Sequence, residues 1–382
     1  MEYFSDMTVK DNVLPEATRE QLRALSDTLI RSPREELTHW ESDTELSLID
    51  PMLFPVASGI TRVVDEPICR PWIQSIGEGE SLNLPAKDSS SHPPQYHSLF
   101  VTQEEMLPAE FEVSPEGSVS IKSYINNLHP SHAQGYAAIA SAFEQLLPMF
   151  EAWLTKQQKG KASSTRWDSD ESEHDESEVQ QDESEVRQDE STEVSLRGRR
   201  LQVIVQMDAI ELTRDKPKFE TEYWKRESCD EVNSVGVVVF HSENIQNASL
   251  WLRWWSADFR WCQIALRQQR AVVLHKWMWR HVIPCNLREG AESGSLRVLT
   301  FRLIDPERRV VSTERVPPQQ GPWYTYEVEK VLCELPSQPE LPIETAFLTV
   351  DDDISSVPED VVDYDDDIAN VNAQAASDSG AA

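Results

Sequence analysis

Metal or proton chemistry in this chain would have to come from its nine histidines and its acidic residues. Glu227, Asp230 and His281 are the set whose types suit a divalent cation, since two carboxylates and an imidazole can bind one and leave positions open. The other histidines read differently. His129-Pro130-Ser131 is a helix-start turn, because proline pre-sets the φ of a first helical turn, and His132 follows it. His241 and His275 flank strand patterns, and His92 and His97 lie in a loop punctuated by proline and serine. The five cysteines (Cys69, Cys229, Cys262, Cys285 and Cys333) are scattered with no C-x-x-C pair, as expected for reduced, buried thiols in a reducing compartment. The chain has no G-x-G-x-x-G, Walker loop, G-x-S-x-G or H-E-x-x-H. Asn247-Ala248-Ser249 spells a glycosylation sequon, but no secretion signal accompanies it.

The elements that must position these residues fall into two halves. Leu22, Leu25 and Leu29 share one face of a helix expected between Pro15 and Pro33. A longer amphipathic helix follows Pro130, with Ile139, Phe143, Leu146, Phe150 and Trp153 on one side and a kink expected at Pro148. The second half turns to short β-branched and aromatic runs at 201–207, 235–240, 249–254, 271–274 and 296–304. Strands without long helices between them suggest an antiparallel barrel or sandwich. Six of the twelve tryptophans fall between Trp251 and Trp279 and read as core or barrel lining, since few basic residues alternate with them.

The 382 residues carry 35 basic and 67 acidic side chains, a formal charge of −32. Thirteen acids lie between Asp168 and Glu193, in units of Asp-Glu-Ser-Glu-Val, and nine between Asp351 and Asp367. One valine per seven-residue unit cannot make a coiled-coil seam, so both stretches are expected to be disordered, either as solvating spacers or as lures for a basic protein partner. Residues 85–95 form a further loop. The acid excess argues against a duplex nucleic-acid surface. No apolar run reaches the roughly 18 residues that span a bilayer, and the first residues lack a basic start and an apolar run. The expectation is a cytoplasmic protein with no membrane and no nucleic-acid partner.

Several phrases resemble a fungal family whose domain of unknown function has the catalogue number 4246. They are Ile49-Asp-Pro-Met-Leu-Phe-Pro55 with Gly59-Ile-Thr-Arg-Val63, Leu107-Pro-Ala-Glu-Phe-Glu-Val113, the octapeptide Ser123-Tyr-Ile-Asn-Asn-Leu-His-Pro130, Leu201-Gln-Val-Ile-Val205, Ser242-Glu-Asn-Ile245, and Leu303-Ile-Asp-Pro306 through Val316-Pro-Pro-Gln-Gln320. They run in the family's order from about residue 45 to 330. The family's C-terminal half in turn resembles iron(II)- and 2-oxoglutarate-dependent oxygenases. That resemblance implies an α+β fold, with a helical N-terminal region packed on a C-terminal double-stranded β-helix (cupin-like) barrel and with an acidic disordered insert and tail. The implied organisation is 1–45 helical or partly disordered, 46–158 the helical part of the family domain, 159–198 the acidic insert, 199–335 the barrel and 336–382 the acidic tail.

The resemblance also implies Fe(II) and 2-oxoglutarate as cofactors, held by two histidines, a carboxylate and a cation for the oxoacid. The family's Trp-His-x-Glu stands here as Trp224-Lys225-Arg226-Glu227, so Glu227 is the carboxylate and Lys225 occupies the first histidine's place. A lysine ammonium does not ligate iron. The family's Gln-His-Arg-Val-x-Pro appears as Trp279-Arg280-His281-Val282-Ile283-Pro284, with His281 one residue displaced, a shift that turns a strand side chain to the opposite face. Arg297 is the nearby candidate for the oxoacid, although strict alignment puts Leu296 in the family arginine's place. The implied function is an oxygenase-like protein with an impaired or degenerate metal site, acting on a small organic substrate in secondary-metabolite biosynthesis. The competing reading is a non-catalytic interaction or scaffold protein.

Overall fold

The computed structural model describes residues 7–31, 44–68, 72–83, 104–164, 193–219, 229, 231–253, 261–276, 278–283 and 285–318. It is mostly β-sheet, with two long helices. In chain order the first elements are β1 (Met7–Lys10), α1 (Glu16–Arg31), β2 (Glu45–Ile49), β3 (Val56–Ala57), β4 (Arg62–Val63), β5 (Glu80–Ser81), β6 (Glu104–Glu105), β7 (Ala109–Val113), β8 (Val119–Ile121) and α2 (Ala133–Ser164). Then come β9 (Arg200–Thr213), β10 (Lys218–Phe219), β11 (Val232–Glu243), β12 (Ile245–Gln246) and β13 (Ser249–Arg253). The last are β14 (Trp261–Ala265), β15 (Ala271–His275), β16 (Trp279–Ile283), β17 (Cys285–Leu287) and β18 (Ser293–Ile304).

One large sheet organises the chain in the order β1-β15-β11-β18-β9, antiparallel throughout. Beyond β9, β7 pairs with its first half and β2 with its second, and β8 closes the edge. Two three-stranded groups, β10-β17-β12 and β14-β13-β16, stand apart from it.

Alternation along the strands gives the large sheet two apolar faces. On β9, Leu201, Val203, Val205, Met207 and Ala209 join Leu299, Phe301 and Leu303 of β18 in a core with the two helices. Leu22, Leu25 and Leu29 of α1 enter that core, as the period of three and four requires. From α2 come Ile139, Phe143, Leu146, Phe150 and Trp153. Phe143 sits between Phe111 and Phe301 at ring-centroid distances of 5.1 and 5.3 Å, both edge-to-face. The opposite face carries Ile204, Ile210, Leu212, Val235, Val237, Val239, Val272, Leu274 and Leu296. These meet Phe219, Leu250, Leu252, Ile264, Cys285 and Leu287 from the short strands in a second core.

Two expectations need correction. Residues 46–158 are not a helical region: they hold β2 to β8 and only the first part of α2, because strands of two to five residues leave too short a trace for a period to be read. The helix also runs past 158 to Ser164, so the chain is ordered beyond the expected start of the insert. The chain beyond the insert returns to this helix, where Val194 N donates to Thr155 Oγ1 at 2.9 Å and Leu196 N to Glu151 Oε1 at 2.8 Å. The acidic runs at 168–190 and 351–367 and the loop at 85–95 lie outside the described residues.

Candidate functional site

The face of the large sheet that meets the short strands is apolar except for one patch. On β9 the inward positions alternate Gln202, Ile204, Gln206, Asp208, Ile210, and on β18 they are Leu296, Val298, Thr300 and Arg302. Asp208 faces Val298 across the ladder, Gln206 faces Thr300, and Ser47 of β2 flanks Asp208 from the other side. The Gln206 amide donates to both carboxyl oxygens of Asp208 at 3.0 and 2.9 Å, and Ser47 Oγ donates at 3.2 Å. Burial pushes the Asp208 carboxyl up to about 7 and Glu45 adds to it, while the Gln206 hydrogen bond, the Arg302 charge and Ser47 pull the other way. Near neutrality this aspartate can therefore hold or release a proton in an otherwise apolar space.

Among the described sequence-derived candidates, Arg297 and His241 lie away from that patch. Lys225, Glu227 and Asp230 lie outside the described residues, as do His92 and His97. His281 is the middle residue of β16, with its backbone opposite Trp251 of β13. Arg297 belongs to the other face. It is 7% exposed, and its Nη1 donates to Ser26 Oγ at 2.6 Å and to Asp27 Oδ1 at 2.5 Å, both on α1, with Glu211 at 3.4 Å from its Nε. Leu296 is the residue turned toward the short strands. His241 also lies against α1: its partner across the ladder is Arg297, after a register shift at Phe240. Burial, followed by the charges of Arg297 and Arg23, lowers its pKa, and Glu243 lies 3.6 Å away. His129 does sit in the turn before α2, where Ser131 N donates to its Nδ1 at 3.1 Å. His275 stacks at a tilt on Trp153, with ring centroids 5.6 Å apart. Among the described residues no three of His, Cys, Asp and Glu are grouped to hold a metal ion.

The oxoacid therefore does not fit the residue proposed for it. A guanidinium committed to Asp27 on the helical face cannot also meet a carboxylate between the sheets. Arg302, not Arg297, is the guanidinium that β18 turns inward. Sequence reading missed Asp208, Gln206 and Arg302, although a signal was present: they share the strand parity of the apolar Ile204, Ile210, Leu296 and Ile304 and so lie on a face that packs.

A second polar group lies at the β7 end of the sheet. Glu110 has no exposed surface and is paired with Gln202 across β7 and β9. Burial alone would raise its pKa, but hydrogen bonds from Ser312 at 2.6 Å, Arg309 at 2.7 Å and Gln202 at 2.9 Å hold it below the usual carboxylate range. Arg200 Nε lies 3.3 Å from the same carboxylate and its Nη2 is 2.6 Å from Glu314. This knot is one wall of a cleft of about 500 Å³ that also takes in Val56, Glu105, Met106, Cys229, Glu231, residues 309–312, Glu314 and Arg315.

Comparison with solved structures returns several distant likenesses. IDO from Bacillus thuringiensis is 11% identical over 28% of this chain and 47% of its own, with a TM-score of 0.23. This chain thus spans about half the length of that protein. The Fe(II)/α-ketoglutarate-dependent dioxygenase TqaL is 10% identical over 81% of this chain and 96% of its own, with a TM-score of 0.28. A full-length Neurospora crassa protein in complex with α-KG is 9% identical over 86% and 87%, with a TM-score of 0.31. Likenesses at such scores carry no argument about this fold or its chemistry. No curated protein matches the chain. A family model described as "Protein of unknown function (DUF4246)" matches residues 1–261 and 260–327, and the chain belongs to that family.

Proposed function

We propose that this chain is a barrel of the iron(II)/2-oxoglutarate oxygenase type, a double-stranded β-helix, whose metal and oxoacid site is degenerate. The winding of the chain supports the barrel. From β9 onward it alternates between the large sheet and the short strands: β9, then β10, then β11, then β12 to β14, then β15, then β16 and β17, then β18. The large sheet takes the order β15-β11-β18-β9, and the short strands join as β10-β17-β12 and β14-β13-β16. That is the order two strands acquire when a long hairpin coils into a helix. The helices α1 and α2 cover the outer face of the large sheet.

The observation that carries the degeneracy is the register of β18. Leu296 faces the short strands, and Arg297 is buried against Asp27. Lys225 in the first histidine's place points the same way. The apolar fill between the sheets, with Leu250, Leu252 and Ile264 against Val235, Val237 and Val239, favours the second reading, a barrel kept as a non-catalytic interaction scaffold.

The test is an anaerobic titration of the full chain with Fe(II) and 2-oxoglutarate, following the metal-to-oxoacid charge-transfer band and the turnover of the oxoacid on admitting oxygen. The expected result is no stoichiometric band and no turnover. A stoichiometric band that Glu227→Ala abolishes overturns the degenerate reading and restores an active oxygenase.

A further inference from the structure

The bulge in β11 aims two consecutive side chains at α1. Regular alternation would send Phe240 to one face of the sheet and His241 to the other. The register shift between Val239 and His241 takes up Phe240 as an extra residue. Phe240 therefore enters the core shared with Leu22 and Leu25 of α1, and His241 comes level with Arg297 of β18. His241 is 8% exposed. It stands beside the anchor that ties α1 to the sheet, the Arg297 guanidinium with Ser26 and Asp27. The charges around the imidazole come from four elements. From α1, Arg23 and Asp27 act on it, and Glu16, Arg19 and Glu20 line the same crevice. From β18 comes Arg297, with Glu211 of β9 at 3.4 Å from its Nε. On β11 itself, Glu243 Oε2 is 3.6 Å from the ring Nε2, beyond hydrogen-bond reach, and 3.9 Å from Arg23 Nη2. The loop before β15 contributes Gln268, which is uncharged and accepts from Ser242 N at 3.2 Å. Burial first, then Arg297 and Arg23, disfavour the imidazolium, and they outweigh Glu243 and Asp27.

We propose that His241 is an acid-sensitive latch for α1: with the imidazole neutral the helix rests on the sheet, and a proton on the imidazole loosens α1 from β11 and β18. The sign follows from the surroundings. When α1 lifts away, the ring reaches water and returns to its ordinary value of 6.5. Below 6.5 the lifted state binds a proton that the docked state resists, so lifting is favoured as pH falls. The effect levels off once the docked state is protonated as well. Above 6.5 the ring is neutral in both states and the latch stays closed. The face that lifting uncovers is apolar, with Leu22, Leu25 and Leu29, so the latch converts acidity into an exposed hydrophobic stripe. The inference goes beyond the oxygenase-type reading and does not depend on it, since His241 lies on the helix-covered face of the large sheet and not between the sheets.

The test is amide hydrogen exchange of the full chain at a series of pH values from about 7.5 to about 5.5, corrected for the intrinsic pH dependence of exchange. The opening constant of the α1 amides from Leu22 to Leu29 should rise by about threefold or more over the unit of pH below 6.5, under the ceiling of about tenfold per unit for one proton. His241→Gln keeps a neutral polar side chain and should abolish the rise. An opening constant that does not rise in the parent chain, or that rises equally in a folded His241→Gln chain, overturns the proposal. Proton NMR of the unaltered chain covers the case of a variant that does not fold. The His241 ring resonances and the α1 amide signals should titrate with one shared midpoint below 6.5. Separate midpoints, or a shared midpoint at or above 6.5, also overturn it.

Discussion

Arg297 and Asp208 sit one strand apart and show how a single-residue step decides the environment of a charge. Arg297 faces α1 and finds Asp27 there; Asp208 faces the apolar space between the sheets and finds amide and hydroxyl donors. Replacing the first leaves a carboxylate without its cation, while the second is itself the strained group. The folded state holds the Asp208 proton up to a pH of about 7, against an ordinary value of 3.8 in the unfolded chain. Between those values the folded state binds a proton that the unfolded state has released, so stability falls as pH rises through this window and levels off above it. At about 1.4 kcal/mol per pH unit, the cost at neutral pH reaches about 4 kcal/mol at most. Asp208→Asn removes the titration and keeps an acceptor for Gln206. Urea unfolding of the variant should show greater stability than the parent chain at pH 8 and a flatter decline between pH 4 and 7. Parallel pH profiles for the two proteins would rule out Asp208 as the source.

At the scale of elements, the helices and long strands were readable because their periods persist. The spacing of Leu22, Leu25 and Leu29 predicts α1, and it spans Glu16–Arg31. The runs at 201–207, 235–240, 249–254, 271–274 and 296–304 all fall within or across β9, β11, β13, β15 and β18. What was not readable is how the octapeptide at 123–130 works, because its role lies in contacts distant along the chain. Tyr124 Oη donates to the Val316 carbonyl at 3.0 Å, Asn126 Nδ2 to the Phe54 carbonyl at 2.9 Å, and Ser123 Oγ lies 2.6 Å from Thr313 Oγ1. The phrase is a clasp holding three segments, so its specificity follows from structure without any call on catalysis. The nearness of Arg297 to His281 in sequence likewise says nothing about strand parity. Gly236 shows the same dependence on packing. A Cβ there would stand 2.7 Å from Phe150 Cζ and 3.1 Å from a Leu146 methyl, so α2 lies directly on the backbone of β11. Gly236→Ala should therefore lower stability by about 1–3 kcal/mol by lifting the helix, measured as a fall in denaturation midpoint. A midpoint unchanged or raised would mean that Phe150 swings aside at no cost.

For the whole molecule, the charge of −32 is unevenly placed: the runs at 168–193 and 351–367 hold 21 of the excess negative charges. The rest of the chain is only mildly acidic. The two ends of the 165–192 stretch are anchored on the same helix, α2 through Ser164 on one side and the Thr155–Val194 and Glu151–Leu196 hydrogen bonds on the other. The described residues that flank the stretch thus meet one helix, at points about 14 Å apart along it. Loop-closure entropy depends only weakly on loop length, about 0.6 kcal/mol per doubling. Replacing 165–192 with a short Gly-Ser linker should consequently leave the thermal midpoint within about 2 °C of the parent, a shift equivalent to well under 1 kcal/mol. It also removes twelve acids, which lowers self-repulsion and should make the protein less soluble near its isoelectric point. Scanning calorimetry of the shortened chain decides the matter. A large loss of midpoint would show that the acidic stretch packs on the fold, most directly over α2, and would give it a structural role in place of a solvating one.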